Sequence, residues 1–194
     1  PTLFPYTTLF RSGGLSSETA WQATKTTQKV IDEVKKQGFK SVRLPISWVM
    51  GHLTDKAKMS IDEAWMARVK EVVNYCLADG LYVIINDHWD GGWLEVDGFS
   101  RSRDNFQVVD EATITEKTKQ LKALWTNIAQ AFKDYDEHVV FAGLNEPFQE
   151  YKLFNGHHQE LTPILQRYNQ AFVDAVRATG GNNASRVLRS EEHT

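Results

Sequence analysis

The stretch VVFAGLNEP, residues 139–147, decides the fold. Its apolar first half is rich in β-branched and aromatic residues, which predicts a buried strand. Asn and Glu are rare in strands and Pro147 cannot donate a ladder hydrogen bond, so the strand should end before them. Asn145 and Glu146 are therefore predicted at the carboxyl end of a buried parallel strand, where parallel α/β barrels carry out their chemistry. A strand followed by an ordinary polar turn would produce the same pattern, so this stretch alone leaves both interpretations open.

Helices and strands alternate on either side of this stretch. Strands are predicted at 40–47, 81–86 and 139–144, a fourth begins at 186–188, and an amphipathic helix precedes each. Strict alternation predicts an α/β fold with parallel strands and right-handed crossovers, as in a TIM barrel or a doubly wound sheet. No Gly-rich phosphate-binding motif follows a predicted strand, so the alternative of a phosphate-binding doubly wound protein lacks its motif.

Local signals predict where the helices begin. Residues 60–63 (SIDE) and 113–116 (TITE) match the capping-box pattern, and Thr162-Pro163 combines an N-cap with a proline suited to the first helical turn. Residues 51–59 and 87–110 are predicted to be loops. The second is long for a compact domain, which is typical of a functional loop.

Composition excludes several classes of protein. The 194 residues carry a net charge of −3 and no basic stripe, which argues against a nucleic-acid partner. No apolar run approaches the ~20 residues of a membrane span, so no membrane partner is predicted. Cys76 is the single cysteine; it cannot form an internal disulfide and is predicted to be a buried structural thiol on a helix face.

Polar residues occur near the ends of three predicted strands. Arg43 lies late in the first, His88 just follows the second, and Asn145-Glu146 follow the third. In a barrel these strand ends share one face, where a carboxylic acid held by Arg, Asn and His could act as a general acid/base. Two structural alternatives stay open: Arg43 could pair with a core carboxylate, and His88 could cap backbone groups of its loop.

The motifs VRLPISW (42–48), INDHWDGGWL (85–94) and GLNEPF (143–148) resemble those of glycoside hydrolase family 5, the cellulase family. ETAW (18–21) and TGGNN (179–183) also fit and point to the endoglucanases of subfamily 4. The resemblance covers nearly the whole chain. It implies a TIM (β/α)8 barrel, of which this chain supplies roughly strands two to five.

The resemblance also implies a role for each polar residue. Glu146 would be the general acid/base that protonates the glycosidic oxygen, and Asn145 would bond the sugar 2-hydroxyl. Arg43 would orient the nucleophilic carboxylate, and His88 would line the subsite at the scissile bond. Many relatives carry a second His where this chain has Trp89, which puts one sugar contact in doubt.

Trp93, with Trp48 and Trp21 less strongly indicated, is expected to be a platform on which sugar rings stack, although packing roles would suit Trp48 and Trp93 nearly as well. The His and Asp residues at 157–158 and 87–90 lack the usual spacing of metal ligands. We therefore assign them solvent or subsite roles and predict neither metal nor cofactor. The expected partner is a β-glucan polysaccharide or oligosaccharide.

Retaining hydrolysis needs two carboxylates ~5–5.5 Å apart. The nucleophilic Glu of the resembled family lies late in the barrel, and this chain has no counterpart of it. The parent protein is thus expected to be a retaining endo-β-1,4-glucanase and this fragment to be inactive. The alternative is a non-catalytic, carbohydrate-binding half-barrel.

Both termini resemble translated sequencing adapters rather than protein sequence. Residues 1–12 (PTLFPYTTLFRS) and 189–194 (RSEEHT) match opposite adapters in the expected orientation, leaving residues 13–188 as the hydrolase fragment. Such segments are excluded from fold prediction. The parent is expected to be secreted or bound to the cell surface.

Overall fold

Four long helices and six strands make up the described part of the chain. The computed structural model describes residues 18–19, 24–88, 90–95, 110–145, 147–148 and 154–190, with only the backbone given for 154–159. In chain order the elements are α1 (Gln28–Lys36), β1 (Ser41–Ile46), β2 (Leu53–Asp55), β3 (Ser60–Ile61), α2 (Glu63–Ala78), β4 (Tyr82–Asp87), α3 (Glu111–Ala131), β5 (Val139–Ala142), α4 (Phe154–Ala178) and β6 (Leu188–Arg189). Single 3₁₀ turns occupy Asp90–Gly92 and Gly181–Ala184.

The main sheet has four strands in the order β1-β4-β5-β6, and every neighbouring pair is parallel. Ser41 pairs with Tyr82, Val83 with Val139, and Phe141 with Leu188. A helix separates each pair of neighbours along the chain, as parallel pairing requires. The predicted alternation of helices with parallel strands is confirmed.

Apolar residues at helical spacing form the core between the helices and the sheet. On α2 they are Trp65, Val69, Val72, Val73 and Cys76, all fully buried. The predicted apolar face of α4 is buried as well. Burial raises the pKa of the Cys76 thiol to about 12, which confirms the prediction of an unreactive structural cysteine.

In the part of the chain described, no helix combines the length and apolarity needed to cross a bilayer.

Both capping-box predictions are wrong by a few residues. Asp62 is the N-cap of α2, and its side chain accepts a hydrogen bond from the Trp65 amide at 2.9 Å. Asp110 caps α3 in the same way, accepting from the Thr113 amide at 2.7 Å. A carboxylate is favoured at the positive end of the helix dipole. Ser60 is unsuited to the cap because its backbone is paired in β3.

The predicted start of the last helix at Thr162 is also wrong, because α4 extends back to Phe154 and Pro163 lies inside it. A proline within a helix removes one backbone hydrogen bond. The helix continues through it here, since α4 buries side chains such as Leu161, Leu165 and Tyr168 on both sides of the proline.

Residues 51–59, predicted as a plain loop, contribute to a two-stranded antiparallel ribbon. Leu53 of β2 pairs with Ile61 of β3, and the register shifts between Leu53 and Asp55. The turn is closed by the Asp55 carboxylate, which accepts from the amides of Ala57 and Lys58. These strands have three and two residues, too short for an alternating pattern to show in the sequence.

Candidate active site

Arg43 and Asn145 meet at the carboxyl-end side of the sheet although 102 residues separate them. Nη2 of Arg43, on β1, donates to Oδ1 of Asn145, which follows β5. Asn86 of the intervening strand β4 is also engaged: with its amide oriented to satisfy both neighbours, it accepts from Arg43 Nη2 at 2.9 Å and donates to Leu44 O at 2.8 Å. Arg43 therefore contacts two amides, one from each of the next two strands, as the predicted convergence requires.

The position of Asn145 depends on Gly143. A Cβ on Gly143 would lie 2.5 Å from Cδ1 of Phe172, so only glycine allows α4 to pack this closely against the end of β5. The indole of Trp125 donates to Gly143 O at 2.9 Å and secures the same turn from α3. Two helices thus define where the chain leaves β5.

A small cleft joins the loops that follow β4 and β5. It is lined by residues 87–88, 92–95, 144–145 and 147, which include His88, Trp93 and Asn145. His88 is partly buried; its amide donates to Ile46 O at 2.9 Å, and its Nδ1 lies 3.5 Å from the Asn86 amide. The predicted acid/base Glu146 lies outside the described residues, as do Trp89 and Trp21.

Trp48 is not the sugar platform that the sequence suggested. Its side chain is fully buried, and its indole N–H donates to Asn86 O at 3.1 Å. Stacking on a sugar requires an exposed ring face, which a ring with no accessible surface lacks. Trp48 is a core residue that packs beneath the strand end carrying Asn86.

Trp93 lies beside the cleft and is a partly exposed residue. Its indole N–H donates to Oδ2 of Asp87 at 3.1 Å. The same residue lines a second, larger groove of about 530 Å³ that also includes Met50, Met59 and Gln120. This placement suits the predicted stacking role.

Asp90 organises the loop after β1, which the sequence did not indicate. Its carboxylate accepts hydrogen bonds from three consecutive backbone amides, those of Trp48, Val49 and Met50, at 2.7, 2.6 and 2.8 Å. Its own backbone has a φ of 47°, a left-handed conformation that Asp tolerates better than most residues. Asp90 therefore ties the loop after β4 to the loop after β1.

Asp87 ends β4 and is buried beside Asp90. Only 2% of Asp87 and 3% of Asp90 are exposed, so neither side chain faces solvent, whereas Asp87 lines the cleft, which is compatible with the alternative prediction of a subsite role. Burial, and next the negative charge of Asp90, raise the pKa of Asp87 well above its ordinary range. An Asp as the last residue of a buried strand was the available signal, since Asp is depleted in strands.

Glu95 connects the loop after β4 to the loop that carries Asn145. Its buried carboxylate accepts from the Phe148 amide at 2.9 Å, and Phe148 has a φ of 65°, which is rare for a bulky residue. Lys117 on α3 donates to Trp93 O, and burial lowers the pKa of Lys117, with Glu95 opposing that shift. The motif match ended at Leu94, so Glu95 was not singled out from the sequence.

Within the described residues no group of three or more His, Cys, Asp or Glu side chains is arranged to hold a metal ion. The side chains of residues 157 and 158 lie outside that description.

Comparison with known proteins identifies the family. Residues 7–188 match the model of the family described as Cellulase (glycosyl hydrolase family 5). Endoglucanase A of Clostridium longisporum is 40% identical over 181 residues, covering 92% of this chain and 32% of its relative. Endoglucanase A of Ruminococcus albus is 42% identical over 180 residues, covering 90% and 45%.

Solved structures agree with the family match. One is a xyloglucan-specific β-1,4-glucanase from a ruminal metagenomic library, in complex with XXLG. Its sequence is 64% identical and its TM-score is 0.84; the match covers 95% of this chain and 47% of the glucanase chain. The broad-specificity endoglucanase of subfamily 4 from Clostridium longisporum is 37% identical, with a TM-score of 0.77 over 92% and 47%.

The chain spans less than half the length of each of these relatives. Its four parallel strands and their helices are accordingly part of a TIM barrel. The chain belongs to glycosyl hydrolase family 5, the cellulase family.

Proposed function

We propose that this chain provides the acid/base half of a retaining endo-β-1,4-glucan hydrolase. The observation that carries the proposal is the contact of Arg43 with Asn145 across the end of the sheet, beside a cleft that His88 also lines. The similarity to endoglucanases and xyloglucanases of the same family supports a glucan as the proposed substrate.

Asn145 is suited to recognise a sugar hydroxyl. Its Oδ1 accepts from Arg43, which fixes the orientation of the amide and directs the two Nδ2 protons elsewhere. In the proposed complex they donate to the 2-hydroxyl of the sugar at the scissile bond. Such bonds strengthen as the oxocarbenium-like transition state forms.

Glu146 is the proposed general acid/base. A nucleophilic carboxylate attacks the anomeric carbon while Glu146 transfers its proton to the departing glycosidic oxygen, which leaves a glycosyl ester on the nucleophile. Glu146 then removes a proton from water, whose oxygen attacks the same carbon and releases the carboxylate. The nucleophile is proposed to lie outside these 194 residues, so the chain alone should not turn over substrate.

The proposed ligand is a neutral β-linked glucan chain. Related structures are described as complexes with XXLG, cellotetraose and cellotriose. Trp93 is the proposed stacking residue, because it is a partly exposed aromatic residue that lines the cleft. The net charge of −3 gives no reason to expect an acidic polysaccharide.

Glu146→Gln tests the proposal in a protein that carries this chain within a complete barrel. With xyloglucan or mixed-linkage glucan as substrate, we expect kcat to fall by about 10²–10⁴-fold, because the amide cannot donate a proton to the leaving oxygen. Release of reducing ends measures the rate. Glu116→Gln, at an exposed position on α3, is the matched control and should leave the rate unchanged.

Hydrolysis that survives Glu146→Gln would overturn the acid/base assignment. The partly accessible Trp93 beside the cleft also favours a second candidate, a non-catalytic carbohydrate-binding half-barrel. That function would be supported if the protein in the complete barrel bound cellotetraose without cleaving it, and if Glu146→Gln left the affinity unchanged.

A further inference from the structure

We propose that Asp87 is a positioning residue whose protonated carboxyl links Asp90 to the indole of Trp93 and so fixes that ring at the edge of the cleft. The proposed function supplies only the purpose of this link, which is to present Trp93 to a sugar. The link itself follows from the contacts of three side chains.

The first step concerns the hydrogen-bond donors to Asp90. The backbone amides of residues 48–50 donate to its two carboxylate oxygens. Multiple amide donors favour the ionised form of a carboxyl group. Asp90 is therefore the carboxylate of the pair, and the loop after β1 holds it in place.

The second step is that Asp87 bears the proton. Its Oδ2 accepts from Trp93, whereas its buried Oδ1 has no protein donor within the described residues, and its other hydrogen-bonding neighbour is the carboxyl of Asp90. Two carboxyl oxygens bond only when one carries a proton, and a fully buried carboxyl with a single donor is the one that keeps it. The raised pKa of Asp87 agrees with this assignment.

The third step concerns Trp93. Asp87 holds its indole nitrogen, and Lys117 donates to its backbone oxygen, so both ends of the residue are held. The ring lies between the small cleft and the larger groove, where its orientation decides which face is open to a ligand. A ring fixed before binding avoids the entropy cost of ordering it afterwards.

The link should fail as pH rises through the raised pKa of Asp87, because two adjacent buried carboxylates repel each other. Other titratable groups in this environment are Asp90, with His52 and Asp62 near it. His88 and Glu95 line the same cleft, and Lys117 on α3 donates to Trp93 O. His52 stacks on Trp65, and burial lowers its pKa. These other groups are common to the wild type and to Asp87→Asn, so the difference between the two proteins isolates Asp87.

The test uses NMR on the 194-residue chain. The indole N–H resonance of Trp93 is identified by its loss in Trp93→Phe and is followed as the pH is raised from 5 to the alkaline limit at which the chain stays folded. In the wild type we expect it to shift as Asp87 loses its proton. In Asp87→Asn this shift should be absent, because the amide donates to Asp90 and accepts from Trp93 at every pH. An indole resonance that behaves identically in both proteins, whether it titrates in both or in neither, would overturn the proposal.

A second measurement tests positioning through ligand binding. Asp87→Leu removes both hydrogen bonds while keeping the branched arrangement of four side-chain heavy atoms. We expect it to weaken cellotetraose binding about tenfold, with Asp87→Asn restoring it. In a Trp93→Phe background, Asp87→Leu should have no further effect, because the indole N–H is already gone. Equal losses in both backgrounds would show that Asp87 does not act through Trp93.

These two measurements separate the inference from the proposed function. If cellotetraose does not bind the wild type, the proposed function loses support, whereas the pH dependence of the Trp93 indole resonance still decides the role of Asp87. If Asp87→Leu fails to fold, the comparison of wild type with Asp87→Asn remains decisive.

Discussion

Single side chains determine the geometry of the loops around the cleft. Asp90 holds three amides of the loop after β1, and Glu95 holds the Phe148 amide in the loop after β5. Both carboxylates belong to the segment that follows β4. This one segment therefore sets the relative positions of the loops on either side of it, and with them the positions of Trp93 and Asn145 at the cleft.

Replacing Glu95 should destabilise the loop that carries Asn145. We expect Glu95→Ala to lower the free energy of unfolding by about 1–3 kcal/mol, because a buried amide loses its acceptor while Phe148 keeps a left-handed backbone. Glu95→Gln keeps an acceptor oxygen and should cost less. Urea unfolding followed by circular dichroism measures the difference.

Glu116→Ala, at an exposed position on α3, serves as the control for Glu95→Ala and should lie within about 0.5 kcal/mol of the wild type. A loss in Glu95→Gln as large as that in Glu95→Ala would show that the charge of Glu95, rather than its bond to Phe148, is what matters.

At the scale of elements, Arg186 joins the end of α3 to the start of β5. It is buried and donates to the carbonyl oxygens of Phe132, Tyr135, Asp136 and Val139. The planar guanidinium can satisfy carbonyls in several directions, which a lysine cannot. The sequence placed Arg186 at the start of a strand, but β6 begins at Leu188 and Arg186 is instead a structural link.

Helix capping gives a prediction at this scale. Asp62→Ala should lower the free energy of unfolding by about 1 kcal/mol, because the Trp65 amide at the start of α2 loses its side-chain acceptor. Ser60→Ala is the matched comparison and should change stability little, since Ser60 is paired in β3 and does not cap the helix. Denaturant midpoints of the two variants measure the difference in stability. A larger loss in Ser60→Ala than in Asp62→Ala would show that Ser60 caps the helix, as the capping-box pattern predicted.

At the scale of the whole molecule, the sheet has two edges within the described residues, because β1 pairs only with β4 and β6 only with β5. Unpaired strand edges are templates for association with other chains. Close to β6, Val187 is 59% exposed, the largest value among the exposed large hydrophobic residues described. Neither feature is expected in a closed barrel.

We therefore expect the 194-residue chain to self-associate. Light scattering coupled to size-exclusion chromatography should show a mass that rises with protein concentration. Val187→Lys should shift the chain toward monomer, because a charge next to β6 opposes edge pairing. Val30→Lys is the control, since Val30 is 42% exposed but lies on helix α1 rather than next to a strand. A monomer at all concentrations would contradict the expectation.

Much of the architecture was predictable from local pattern. The parallel strands, the intervening helices and the buried face of α2 follow from hydrophobic periodicity, which records which side of an element faces the core. The meeting of Arg43 with Asn145 was also predictable, because parallel strands of alternating α/β folds place their carboxyl ends on one edge. The helix starts were predicted less accurately. Ser60, Asp62 and Thr113 are all chemically suited to cap a helix, and only the backbone conformation of the folded chain decides which residue does so.

The sequence by itself determined the alternation of the main helices with the parallel strands, the family motifs and the polar residues at the strand ends, because each of these depends on residues close together in the chain. Tertiary structure alone decided that Trp48 is buried, that Asp87 and Asp90 form a pair, and that Glu95 holds the Phe148 amide. The role of the Trp48 indole, of the Asp87 carboxyl and of the left-handed Phe148 backbone depends on contacts with segments that are distant in the sequence. Burial and hydrogen-bond partners are properties of the packed molecule, and local sequence does not encode them.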